Sequence, residues 1–227
     1  MIRGLIFDVF NTILDLQSLK IPYDNSEVIK TQMFIDTWYA KQLEYSWLLT
    51  LMNRYAPFSH IARNALIYTS KKLGLSLTSK QIADIMRARL NIRLFTDVKE
   101  GLVNLRELDH KILLCILSNG EQYFLDALIS NNGIQKYFDQ IISAEEAKKY
   151  KPSPEVYFLV LRRLSVKLSE LILISSNLWD IAGAKNVGMG TCWINRKSSA
   201  MEELDLKPDY IISSIKDIKS ILIQSKF

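Results

Sequence analysis

Cysteine is scarce in this chain, with two in 227 residues, and histidine is equally rare. That excludes a disulfide-stapled scaffold and leaves no Cys/His set with metal-ligand spacing. Cys115 and Cys192 lie inside the apolar runs Leu113 to Leu117 and Thr191 to Ile194, where a small thiol packs as a buried hydrophobe. His60 and His110 are isolated and read as packing or surface residues. Long apolar runs are missing too: nothing approaches the roughly 18 residues of a membrane span. The first apolar run is broken at Asp8, so no signal peptide is visible and a cytoplasmic location is expected. Blocks of like charge are also absent. The 29 basic and 24 acidic residues give a net charge of +5 spread along the chain, which fits an evenly solvated surface without a nucleic-acid partner. There is no internal repeat and no low-complexity tract.

What is present begins with Leu5-Ile6-Phe7-Asp8, an apolar run that drives into a carboxylate and breaks at Asn11. It reads as a buried parallel strand carrying Asp8 to its carboxyl end. Open α/β sheets place ligands outside those ends, so Asp8 is a candidate nucleophile or metal ligand. A cap or turn role is the ordinary alternative for an acid in that position.

Residues 16–97 show helical periodicity: Phe34, Trp38, Leu43 and Trp47 in one segment, Leu66, Leu73 and Leu77 in a second, and Ile82, Ile85, Met86 and Leu90 after them. From Val98 helices and strands alternate. Expected elements are a helix to Leu108, a strand from Lys111 to Leu117, a helix from Gln122 to Asn131 and a strand from Phe138 to Ser143. After these come a helix following Pro154, a strand from Leu171 to Ser175, a helix from Trp179 to Asn186 and a strand from Thr191 to Asn195. A short strand from Tyr210 to Ile212 and a last helix from Ile215 complete the chain. This order predicts an α/β fold: a doubly wound, Rossmann-like parallel sheet built from residues 1–15 and 98–227, with a helical cap of residues 16–97 spliced in above the strand ends. Such a cap would close a small, dry pocket over Asp8.

Further polar residues end strands of the same sheet: Ser118-Asn119-Gly120, Ser175-Ser176-Asn177, Lys151 before Pro152, and Asp180. Singly these also read as a turn, a helix N-cap, a surface lysine and a first-turn carboxylate. Together they are the inventory of a covalent aspartyl enzyme: nucleophile, hydroxyl donor, positive charge and water-orienting acid.

These residues carry a resemblance. Asp8 to Thr12, Ser118-Asn119-Gly120, Tyr150-Lys151-Pro152 with Val156-Tyr157, and Ser175 through Arg196 are similar to the L-2-haloacid dehalogenases of the haloacid dehalogenase-like superfamily. Lys41 to Leu48 and Met52 to Tyr55 resemble that family's cap helices. The resemblance implies attack of Asp8 on the halogen-bearing C2 of a short 2-haloalkanoate, an aspartyl ester, and its hydrolysis to a 2-hydroxy acid. It implies that Lys151, Ser175 and Asp180 hold Asp8 and position water, and that Ser118 and Asn119 receive the substrate carboxylate. Thr12 and Asn177 would complete the shell, Leu43, Phe58, Trp179 and Phe10 would form the apolar wall, and Tyr157 would join the substrate-binding set. A homodimer through the cap, with no cofactor and no metal, is implied as well.

Phosphatases of the superfamily carry a second Asp two residues after the nucleophile and an Asp that helps bind Mg²⁺ in the fourth motif; here these positions are Phe10 and Ser176. A hard dication prefers several oxygen ligands, so phosphatase chemistry is disfavoured. The chain also departs from the dehalogenases. Their leaving-group Arg falls at Tyr39, while Lys41, two positions on and about 200° around the helix, should point elsewhere. Phe10 replaces a usual Tyr and Asn11 a Gly, though Asn tolerates the left-handed conformation. The expectation is a dehalogenase that is weakened or shifted at Tyr39. The alternatives are an Mg-dependent phosphatase and a catalytically silent binding descendant.

Overall fold

The computed structural model describes residues 1–21, 32–108 and 111–224. His110 lies outside the described residues. Six parallel strands form the main sheet: β1 (Gly4–Phe7), β4 (Leu113–Ser118), β5 (Gln140–Ser143), β6 (Leu171–Ser175), β7 (Gly190–Ile194) and β8 (Tyr210–Ile212). Their spatial order is β5-β4-β1-β6-β7-β8, which puts β1 in the middle, with Ile6 opposite Cys115 on one side and Leu173 on the other. All four residues of β1 are buried, as continuous apolar strands require when helices cover both faces. The covering helices are α4 (Val98–Leu108), α5 (Gln122–Asn131), α6 (Pro154–Arg163), α7 (Leu178–Asn186) and α8 (Ile218–Gln224).

Among the described residues three α-helices come between β1 and α4: α1 (Gln32–Leu51), α2 (Phe58–Lys72) and α3 (Ser79–Ala88). They are flanked by a two-residue antiparallel ladder, β2 (Leu14–Asp15) against β3 (Arg93–Leu94), where the chain leaves and re-enters the sheet layer. A capping box fixes the start of α3: Thr78 accepts from the Gln81 amide at 3.2 Å and the Gln81 side chain accepts from the Thr78 amide at 2.9 Å. The apolar stripe of α3, Ile82 and Ile85, then continues into Arg89, which is 5% exposed.

Several element limits move from the sequence reading. β5 starts at Gln140 because Gln135–Tyr137 form a 3-10 turn capped by Phe138. The last helix opens as a 3-10 turn, Ile215–Asp217, held by a capping box between Ser214 and Asp217. α5 ends where Asn132-Gly133 suggested, with Gly133 at φ +68°. The carboxyl ends of β1, β4 and β6 lie side by side, and they deliver Asp8, Ser118 and Ser175 to one rim.

Candidate active site

Immediately after β1 the chain turns sharply, with the amides of Thr12, Ile13 and Leu14 all donating to the Val9 carbonyl. Asn11 holds the left-handed conformation at φ 63° that this turn needs. The turn folds Thr12 back, and its hydroxyl donates to Asp8 Oδ2 at 2.9 Å. Asp8 itself is 4% exposed.

Asn177 occupies the N-cap position of α7 but makes no capping bond. Its side-chain amide instead donates to Asp8 Oδ2 at 2.9 Å and to the Phe10 carbonyl at 3.1 Å. Ser175 Oγ accepts from the Asn177 main-chain amide at 3.1 Å, so Ser175 reaches Asp8 through Asn177.

Lys151 is fully buried, with Nζ 3.3 Å from Asp8 Oδ1 and 2.9 Å from Asp180 Oδ2. Burial alone would push its pKa down, but the carboxylates of Asp180 and Asp8 outweigh burial and raise it. Lys151 is therefore a fixed cation between two acids and not a surface lysine. Its main-chain amide donates to Asn119 Oδ1 at 2.9 Å, and its carbonyl accepts from the Trp47 indole at 3.1 Å. Asp180 is also fully buried; burial raises its pKa, and Lys151 opposes the rise.

Tyr157 sits behind this pair. Its hydroxyl donates to Asp180 Oδ1 at 2.7 Å, and burial followed by Asp180 holds its pKa well above the ordinary phenol value. Gly183 on α7 makes the approach possible, since a Cβ there would collide with the Tyr157 hydroxyl and Pro152 Cβ.

On α1, Tyr39 senses the same centre: burial first, then Asp8 and Asp180, raise its pKa well above the usual value, with Asn177 opposing. It is a neutral phenol at physiological pH. Lys41 points away, pairing with Glu44 at 2.5 Å and lying 4.4 Å from the Tyr68 ring centre. Apolar walls are supplied by Phe10 against Phe58 (ring centres 6.2 Å apart), Phe58 against Tyr150 (5.5 Å), Trp47 against Trp179 (5.7 Å), and buried Leu43. Ser118 Oγ accepts from the Gly120 amide at 3.4 Å at the end of β4. Ser176, where the phosphatases have an acid, donates its hydroxyl to the Asn11 carbonyl at 2.5 Å. Among the described residues no three His, Cys, Asp or Glu side chains are grouped to hold a metal ion. His60 is exposed and bonded to Asn64 at 3.0 Å.

Two residues near the site escaped the sequence reading. Trp47 had the signal of an ordinary core aromatic, although it ties α1 to the Lys151 backbone. Arg89 did carry a signal: it falls on the face of Ile82, Ile85 and Met86, where helical spacing calls for an apolar residue.

A haloacid dehalogenase-like hydrolase family model matches residues 2–188. The chain is 36% identical to an (S)-2-haloacid dehalogenase of Pseudomonas sp. strain YL, with 96% of this chain and 93% of the relative covered. Against (S)-2-haloacid dehalogenase 2 of Pseudomonas sp. strain CBS-3 the identity is 35%, covering 97% of this chain and 96% of the relative. The structure of L-2-haloacid dehalogenase from Xanthobacter autotrophicus with chloropropionic acid covalently bound superposes with a TM-score of 0.89 at 30% identity, over 98% of this chain and 99% of that one.

Proposed function

This chain belongs to the haloacid dehalogenase-like hydrolases, and on that premise we propose that it converts short L-2-haloalkanoic acids to 2-hydroxy acids through an ester on Asp8. The observation that carries this reading is the Asp8 carboxylate held by Lys151 on one oxygen and by Thr12 and Asn177 on the other. Three donors hold the carboxylate in one orientation inside a buried site, which favours an in-line attack.

In the first step an Asp8 oxygen bonds to C2 while the carbon–halogen bond breaks, and its electron pair leaves with the halide. In the second, water attacks the Asp8 carboxyl carbon, the ester bond to the substrate oxygen breaks, and that oxygen takes a proton. The products are a 2-hydroxy acid, halide and one proton, with Asp8 regenerated. Lys151 stabilises the carboxylate and the oxyanion of the second step. Asp180, fixed by Lys151 and Tyr157, orients the water. Ser118 and Asn119 at the end of β4 receive the substrate carboxylate, and Leu43, Phe58, Phe10 and Trp179 exclude solvent. Phe10 and Ser176, standing where phosphatases carry acids, support carbon over phosphorus as the point of attack.

The same reading divides the chain into a core of residues 1–15 and 98–227 and a cap of residues 16–97, supported by the short β2–β3 ladder at the junction. A homodimer through the cap is part of it, supported by Met33, Leu48, Leu51 and Met52, exposed on and just after α1; light scattering in solution tests this. Among the described residues no helix is long and apolar enough to cross a membrane. Buried unpaired Cys115 and Cys192 suit a reducing, cytoplasmic setting.

The activity is tested by halide release from L-2-chloropropanoate without added Mg²⁺. Release that disappears in Asp8→Asn supports the reading. Turnover confined to aryl phosphates with Mg²⁺, or no turnover on a broad 2-haloacid panel, overturns it.

A further inference from the structure

Tyr39 leaves the dehalogenation site without the cation that its relatives are expected to place above the nucleophile, yet a cation is buried nearby. Arg89 follows the last residue of α3, is 5% exposed, and lays its guanidinium 4.6 Å from the Phe124 ring centre. Among the described residues no hydrogen bond or ion pair reaches that guanidinium. Glu121, the acid whose charge acts on Arg89, is committed elsewhere, accepting from the Ser59 amide at 3.0 Å and the Ser59 hydroxyl at 2.6 Å. Burial lowers the Arg89 pKa to about 10, with Glu121 pulling it back up, so the group is charged at neutral pH. A desolvated charge without a counterion is costly to keep, and structures that retain one usually meet an anion there.

The space beside Arg89 is small and mostly apolar. It measures about 30 Å³ and is walled by Phe10, Trp38, Tyr39, Gln42 and Ile92. A volume of roughly 10–15 Å³ on this measure holds one water, so the cavity suits one or two water-sized occupants and no large ligand. Its walls are continuous with the Asp8 site: Phe10 is two residues from the nucleophile, and the Tyr39 phenol lies in the fields of Asp8 and Asp180. In an in-line displacement the leaving group departs on the side of C2 opposite the attacking oxygen. With Asp8 at the sheet rim, that side faces the cap.

We propose that Arg89 receives the leaving halide in this cavity, supplying from the end of α3 the positive charge that Tyr39 on α1 does not. The Tyr39 hydroxyl and the Gln42 amide complete the donor set, and Phe10, Trp38 and Ile92 keep water out. The carbon–halogen bond breaks as the ester to Asp8 forms, and the halide carries the electron pair into the cavity, where the guanidinium balances its charge. The small volume also restricts the leaving group to a single atom, which favours 2-halo acids over acids with larger 2-substituents. This assignment rests on the dehalogenase reading for its catalytic meaning but not for anion binding itself.

The test separates the two. Chloride NMR line broadening reports halide binding to the whole protein without turnover, and halide release from L-2-chloropropanoate reports catalysis. Wild type should broaden the chloride line, with bromide competing. Arg89→Gln should lose that broadening and release halide about 10- to 100-fold more slowly, the range expected for loss of a charge-assisted donor. Arg89→Lys should keep part of both, and Tyr39→Arg in the Arg89→Gln background should regain release. Unchanged broadening or unchanged release in folded Arg89→Gln overturns the assignment. Should Arg89→Gln not fold, Arg89→Lys decides: weakened broadening supports Arg89, and unaltered broadening overturns it. Arg89-dependent chloride binding with no dehalogenation of any 2-haloacid supports the anion site and overturns the dehalogenase reading.

Discussion

The indole of Trp47 donates to the main-chain carbonyl of Lys151 at 3.1 Å, so α1 holds the backbone of a residue that joins Asp8 to Asp180. The same indole meets Trp179 in a T-shaped contact, and Tyr150, next to Lys151, donates its hydroxyl to the Ala56 carbonyl. Lys151 is thus positioned by two layers of the fold at once. A Trp47→Phe substitution keeps an aromatic ring, smaller than the indole, and removes the donor. One net hydrogen bond is worth about 0.5–1.5 kcal/mol. The expected result is a several-fold fall in kcat with little change in KM, measured by steady-state halide release.

Asp180 is predicted to act in the second step. With Asp180→Asn the ester should form once and then persist, because Lys151 still stabilises Asp8 while the water loses its orienting carboxylate. Mixed with substrate, the variant should release about one halide per site, and intact-protein mass spectrometry should show the added acyl group. Normal multiple turnover would contradict the role.

Gly183 fixes the same acid from behind. A methyl at Gly183 would collide with the Tyr157 hydroxyl and Pro152, displacing the donor that holds Asp180 Oδ1. Gly183→Ala should therefore cost stability, about 1–3 kcal/mol as overpacked sites do, and slow ester hydrolysis more than ester formation. Thermal unfolding together with burst kinetics checks both halves.

The pH dependence follows from two groups of opposite sign. Lys151 has its folded pKa raised, so its contribution to stability is present below the unfolded value of about 10.4 and is lost only as pH rises through the higher folded value. Activity should show no Lys151-dependent alkaline loss below about pH 10. Asp97, between β3 and α4, accepts from the Ile215 amide at 2.8 Å and from Arg196 at 3.0 Å. Burial would raise its pKa, but those donors outweigh burial and lower it. Its contribution is present above the unfolded value of about 3.9 and lost as pH falls through the folded one. Asp97→Asn should lower Tm by several degrees at pH 7, with the gap closing below about pH 4.

The sheet was legible because its strands are uninterrupted apolar runs ending in polar residues, a pattern that depends on local sequence alone. Asn132-Gly133 and Asn11 likewise announced their turns. The partners of Asp8 were legible as residue types at strand ends. Their wiring was not: Asn177 looks like a helix cap until its amide is seen on Asp8, and nothing in the sequence showed that the Tyr157 hydroxyl donates to Asp180. Ser175 is joined to Asp8 at one remove, through Asn177. These distinctions arise where α6 and α7 meet the end of β6, a junction set by tertiary packing across many residues. Arg89 shows the converse. Its place on an apolar stripe was visible in the sequence, but the meaning of a charge there depended on the cavity formed with α1.

The most direct test of covalent catalysis by Asp8 is a single turnover, with enzyme in excess over L-2-chloropropanoate, in water enriched in heavy oxygen. Mass spectrometry of the peptide containing Asp8 and of the product locates the label. Attack of water on the Asp8 carboxyl carbon predicts one heavy oxygen in Asp8 and an unlabelled 2-hydroxy acid. Label in the product with none in Asp8 would mean that water attacks carbon directly, contradicting the aspartyl-ester account.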